Sequence, residues 1–176
     1  VYGRLPNGVR YILKENRTPR DRVSMHLYIQ CGSLAELPGE EGLAHFLEHM
    51  QFDGSTHFPP GEMVKYFQRI GMQFGPDANA HTGFAQTVYD ILLPKGDAQS
   101  IDEGLLVLSD YAQGALLLPE QVEKEKKVVL AEKRSRDSAG YRTLEATLEF
   151  QVPGTLLARR LPIGKEESIA AFNTDK

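Results

Sequence analysis

His45-Phe46-Leu47-Glu48-His49 sets two imidazoles four residues apart, with a carboxylate directly before the second. On a helix such residues lie one turn apart on a single face, so both rings can reach one metal ion. Glu48, three residues after the first histidine, lies beside that pair and could take a proton from a metal-bound water. The order is the reverse of the commoner His-Glu-x-x-His. The bland alternative is an amphipathic helix that happens to carry two histidines. A third donor decides between them, because a catalytic zinc usually has three protein ligands plus water.

The segment from Pro119 to Arg134 is the candidate source of that donor. Pro119 suits the first turn of a helix, and the stretch is rich in helix formers. A helical wheel places Glu125 and Glu132 in the stripe that holds Val122, Val128 and Val129, while Glu120 and Glu123 point outward with Lys124 and Lys127. A solvated charge run describes the outer face. It does not explain carboxylates inside an apolar stripe, which need a cation or hydrogen bonds to offset desolvation. Seven residues separate the two acids, about 10 Å along the axis, too far to share one ion easily. One is expected to ligate and the other to orient a histidine or support the site; spacing leaves the choice open.

Taken together, these motifs resemble the N-terminal catalytic domain of the pitrilysin/insulinase-type zinc peptidases, the inverzincins. That family includes the mitochondrial processing peptidase β-subunit and bacterial relatives of the coenzyme PQQ-processing peptidase. The likeness runs from Leu5-Pro6-Asn7-Gly8-Val9 through the Gly42 to Met50 stretch, Phe58-Pro59-Pro60-Gly61 and Asn79-Ala80-His81-Thr82. It continues through Gln86-Thr87-Val88-Tyr89 and Glu125 to Glu132, and ends at Leu161-Pro162-Ile163-Gly164. The resemblance implies that His45, His49 and Glu132 ligate Zn2+, that Glu48 is the general base, and that Glu125 is a supporting acid. It also implies that Asn79 and Ala80 belong to a sheet edge along which a peptide substrate adds as an extra strand. His81 stands where many relatives carry Tyr, and Phe74-Gly75-Pro76-Asp77 lengthens the approach to that strand. Both departures bear on substrate detail, not on the metal ligands.

The resemblance further implies a zinc metalloendopeptidase acting on peptides or unfolded polypeptides. Residues 1–176 would form a single N-terminal catalytic domain, incomplete at its C-terminus and lacking a second, similarly folded domain. Other members suggest a dimer or heterodimer, and a periplasmic or otherwise exported bacterial location. Two rival readings share the motif: a non-catalytic scaffold or partner subunit of the same fold, and a zinc hydrolase of non-peptide substrates. The complete His-x-x-Glu-His and Glu132 argue against the first, because scaffold relatives typically lose one of these residues. A deep closed pocket would favour the second.

The chain has 176 residues, 41% of them hydrophobic, enough to bury a normal single-domain core. A formal net charge of −4 gives no reason to expect a nucleic-acid partner. No apolar run approaches the roughly 20 residues needed to span a bilayer. The chain opens on Val1 without a signal-type apolar block, so any targeting segment is expected to be already removed. A single cysteine, Cys31, excludes an internal disulfide and a thiolate zinc cluster, and is expected to be a small buried residue at a strand end.

Pro6-Asn7-Gly8 predicts a turn before a strand at 9–13. Val23, Met25, Leu27 and Ile29 alternate with polar neighbours, a half-buried strand whose His26 lies on the solvent side. Helices are predicted near 41–52, 60–70, 98–114, 120–137 and 141–157, the last interrupted by Pro153, with extended pieces near Gln73, Ala80 and 87–93. On the 98–114 helix, Ile101, Leu105, Leu108 and Ala112 form the expected apolar side. His57 falls in a break between helices, exposed and not a ligand; from Leu161 onward the chain reads as loop. The sum is an α+β domain, an antiparallel-rich mixed sheet packed against helices.

Overall fold

A computed structural model describes residues 1–174. The chain opens with a hairpin: β1 (Tyr2–Arg4) pairs antiparallel with β2 (Arg10–Ile12) across the Pro6-Asn7-Gly8 turn. Gly8 adopts φ +93° there, a left-handed conformation that glycine enters without a Cβ penalty. The main sheet has three antiparallel strands, β3 (Val23–Ile29), β4 (Ala78–Thr82) and β5 (Thr87–Leu93), in the order β3-β5-β4. Central β5 buries Thr87, Tyr89, Ile91 and Leu93 on one face, the period of two that a sheet covered on that side requires.

Among the described residues, six α-helices complete the α+β architecture: α1 (Leu43–Met50), α2 (Glu62–Arg69), α3 (Ala98–Gln113), α4 (Pro119–Arg136), α5 (Ala139–Gln151) and α6 (Glu166–Ala170). One core lies between the sheet and the helices α2 and α3, built around Phe67, Met72, Ile91, Val107 and Tyr111. A second joins α1, α4 and α6 through Phe46, Met50, Val122, Val129, Ile169 and Phe172. That second core brings the two histidines of α1 against the acids of α4.

Three expectations need correction. Cys31 is exposed, because β3 stops at Ile29 and a bend at Gln30 takes the chain off the sheet. Helix α3 buries Gly104, Val107, Asp110 and Tyr111, leaving Leu105 53% exposed. The cause is Gly104, where a Cβ would lie 2.6 Å from Met25 Sδ, so the helix meets the sheet on its glycine side. The segment after Leu161 is not all loop. Helix α6 forms there, Ile163, Ile169 and Phe172 are buried, and Arg160, Lys165 and Ser168 converge on the Glu41 carboxylate. Three apolar residues so widely spaced carry too little periodicity to announce a helix. Beyond α5, which ends at Gln151 where 141–157 was predicted, the elements agree with expectation to within a few residues.

Candidate metal centre

Helix α1 begins on Gly42, whose own side cannot cap it, and Glu36 supplies the cap from the preceding loop. Its carboxylate oxygens accept from the Gly42 and Ala44 backbone N–H groups, each at 3.0 Å. Gly42 sits at φ +98° and touches Gly164, leaving no room for a Cβ. The helix is thereby fixed at its start, and one turn later it presents two imidazoles to α4.

His45 Nε2 and His49 Nε2 lie 3.2 Å apart. Glu132 Oε2 lies 3.3 Å from His49 Nε2 and 3.6 Å from His45 Nε2. Donors about 2.0–2.1 Å from a tetrahedral zinc are separated by about 3.3–3.4 Å, so this triangle matches one face of such a site. Glu132 Oε2 is buried without a hydrogen-bond partner, as a carboxylate oxygen facing a cation would be. The residues therefore fit a zinc ion, and His45, His49 and Glu132 form the single three-donor group of this kind among the described residues.

Burial and the adjacent His49 push His45 down to about 4. Burial would lower His49 as well, but the hydrogen bond to Glu125 and the Glu132 carboxylate 3.3 Å away outweigh it and hold the imidazole up at about 9. Glu125 reaches the far side of that ring, with Oε1 2.7 Å from His49 Nδ1. Behind it stands Asp53, pushed up to about 6 by burial and by the neighbouring Glu125 charge, with Lys124 at 3.3 Å. Arg136, one turn beyond Glu132, pairs with its other oxygen. Asp53 and Arg136 adjoin the centre and were missed by sequence reasoning, although each lies four residues after a motif residue, Asp53 in the bend that follows α1 and Arg136 at the end of α4.

Glu48 is 7% exposed, and its Oε2 accepts a hydrogen bond from the Thr82 hydroxyl at 2.7 Å. Burial raises its carboxyl above the ordinary range, opposed by that hydrogen bond. The centre opens into a cleft of about 530 Å³ bordered by Phe52, Phe74, Asn79, Ala80, His81 and Arg136, among others. One wall is β4, an edge strand of the sheet. Gly83 N–H donates to the Gln86 carbonyl and Leu92 N–H to the Asp77 carbonyl. Alternation between those two bonds turns the backbone of Ala80 and Thr82 away from β5, toward the cleft side of the edge. Asn79 Oδ1 accepts from the Ala80 N–H at 2.9 Å.

The remaining histidines stand outside the donor triangle, His81 at the border of the cleft. His26 is on the solvent face as predicted, bonded to Ser24 at 2.8 Å and to Asp90. His57 is tied through Nδ1 to buried Asp110 at 2.7 Å, and His81 leans toward Asp90 on the sheet's open face.

Two imidazoles and one carboxylate gathered beside an open sheet edge are a donor set of the kind that metal-dependent hydrolases use. Residues 11–151 match the family described as Insulinase (Peptidase family M16), and the chain belongs to that family. It is 34% identical over 170 residues to PqqL of Escherichia coli, described as a probable zinc protease, covering 97% of this chain and 18% of that protein. A 33% identity over 178 residues links it to the chloroplastic stromal processing peptidase of Arabidopsis thaliana, covering 99% of this chain and 13% of that one. Among solved structures, the first half of the periplasmic protease PqqL from Escherichia coli superposes with a TM-score of 0.94 at 34% identity, covering 98% of this chain and 37% of that one. The chain thus spans less than a fifth of the length of these curated relatives. Among the described residues, no helix is long and apolar enough to cross a membrane.

Proposed function

We propose that this chain is the zinc-binding catalytic part of a metalloendopeptidase, with His45, His49 and Glu132 as metal ligands and Glu48 as general base. The observation that carries the reading is the donor triangle, whose 3.2, 3.3 and 3.6 Å edges suit tetrahedral zinc, set beside a carboxylate outside the triangle. Zinc held there would bring the pKa of a bound water toward neutrality and polarise a carbonyl. Glu48 would accept a proton on its carboxylate and return it to the leaving amine. Glu125 would orient His49 through Nδ1 and set its tautomer. Asn79 and Ala80 would hold the substrate backbone: the Asn79 side chain gives up the Ala80 N–H when an extended peptide pairs with the edge.

The substrate class is polypeptide. An open cleft flanked by a free edge suits an extended chain better than a small molecule. A solved relative, the ferredoxin protease FusC, is a complex with Arabidopsis ferredoxin, which supports a protein substrate. Residues 1–176 would be the N-terminal catalytic domain of a longer enzyme whose second, similar domain encloses the peptide, and the likeness to a periplasmic protease supports export. The complete donor set counts against a scaffold role.

Glu48→Gln should retain zinc stoichiometrically and lose peptide cleavage by about 100-fold or more. His49→Ala should lose both metal and cleavage. Metal analysis paired with a peptide-cleavage assay checks this, and equal zinc loss in both variants would contradict the assigned roles.

A further inference from the structure

We infer that Thr82 is a positioning residue that fixes the Glu48 carboxylate and links it to substrate capture; this rests on the peptidase reading above. Glu48 carries a long side chain with three rotatable bonds, and left alone its carboxylate would sample several orientations. The Thr82 hydroxyl removes that freedom by donating to Oε2 at 2.7 Å. The direction of donation is set by the neighbours. Thr87 commits its own proton to the Cys31 carbonyl at 3.0 Å, and its oxygen lies 3.4 Å from Thr82 Oγ1. With Glu48 ionised, the Thr82 proton has the carboxylate as its strong acceptor. One carboxylate oxygen is thereby pinned, which fixes the plane of the group and the direction of the other oxygen.

Thr82 has a second attachment. Its side chain is on the same face of β4 as Ala78 and Ala80, toward α1, while its backbone N–H and C=O face the outer edge of the strand. A peptide that pairs with the Ala80 to Thr82 strip therefore bonds to the same residue that holds the base. Capture of the substrate strand would steady Thr82, and through it Glu48, at the moment the proton must move. A 1 Å displacement of a catalytic group costs about 100-fold in rate, so such a tether is worth building.

The test uses the zinc-loaded protein with its natural flanking sequence and compares wild type, Thr82→Val, Thr82→Ser and Glu48→Gln. Valine keeps the shape and strand preference of threonine but has no hydroxyl. Thr82→Val should lower kcat by about 10-fold or more, with KM within about twofold. Zinc content and Tm should stay at wild-type values, and a crystal structure should show the Glu48 carboxylate turned. Thr82→Ser should recover most of kcat. Wild-type kcat in Thr82→Val, or a loss of zinc and Tm in step with kcat, overturns the positioning role while leaving the peptidase reading intact. Glu48→Gln that cleaves as fast as wild type overturns the base assignment, and the role of Thr82 with it.

Discussion

A carboxylate 2.7 Å from His49 Nδ1 does two things for the opposite nitrogen. With zinc in place of the Nε2 proton, it would hold the ring in one tautomer, with Nε2 as the lone-pair side, and make that lone pair more basic. In the proposed zinc site Glu125 would therefore matter although it lies outside the donor triangle. Glu125→Gln keeps the shape and a hydrogen-bond acceptor but removes the charge. The expected result is zinc affinity weakened about 10- to 100-fold, measured by competition with a chelator, with one zinc still bound at saturation. Affinity equal to wild type would show that the carboxylate only satisfies a half-buried imidazole. Which acid meets which ring nitrogen was not legible from a helical wheel, because Glu125 and Glu132 share a stripe and differ only in where α4 crosses α1. The pair of histidines and Glu48 were legible, since their relation is local to one helical turn. Thr82 and Asp53 were not, because their roles exist only once β4, α1 and α4 have converged.

Helix α1 is eight residues long, too short to hold itself together without help at its ends. Its N-cap, Gly42, offers no side chain, so the cap comes from Glu36, six residues upstream, through two backbone N–H bonds. Burial raises the Glu36 carboxyl, and the two N–H donors work against that rise. Glu36→Ala should leave both donors without a partner and cost about 1–3 kcal/mol, visible as a lower Tm. Because the frayed turn leads directly into His45, zinc affinity should fall as well, and an unchanged Tm would refute the capping role. At this scale the sequence was read well where a pattern is dense and badly where one residue breaks it. Helix α2 lies where it was expected, and α4 buries Val122, Glu125 and Val129 as its stripe requires but leaves Val128 44% exposed at the cleft. Helix α3 does not follow its pattern, because Gly104 contributes no apolar signal yet sets the contact with Met25 and Leu93, while Asp110 is buried to hold Ser55 and His57. No periodicity rule counts a glycine and an aspartate as core.

Across the whole chain, the end of the described sequence is fastened to the start of the motif helix through one buried acid. Glu41 Oε1 accepts from Arg160 at 2.9 Å and Lys165 at 3.2 Å, and Oε2 accepts from the Ser168 hydroxyl at 2.8 Å. This network seats Ile169 and Phe172 against the second core, where Phe172 meets Phe46 edge-on at 5.3 Å, one residue from His45. Burial acts to raise the Glu41 carboxyl, but the bonds from Ser168, its own backbone, Lys165 and Gly39 prevail and hold it at about 2, below the ordinary 4.5. A carboxyl depressed in the folded state stabilises that state above its unfolded pKa and loses the contribution as pH falls toward its folded one. The docking of residues 160–172 is therefore expected to be full at neutral pH and to weaken between about 4.5 and 2. Amide hydrogen exchange at Ile169 and Phe172 reads this directly, with protection falling through that window. Glu41→Gln leaves the buried Arg160 guanidinium without its counter-charge, a loss of about 3–5 kcal/mol when one partner of a buried pair is removed. In that variant protection should already be low at pH 7 and flat across the acid window. Protection that persists to pH 2 in the unaltered chain would mean that apolar packing alone seats α6, and that the ionic network is incidental to it.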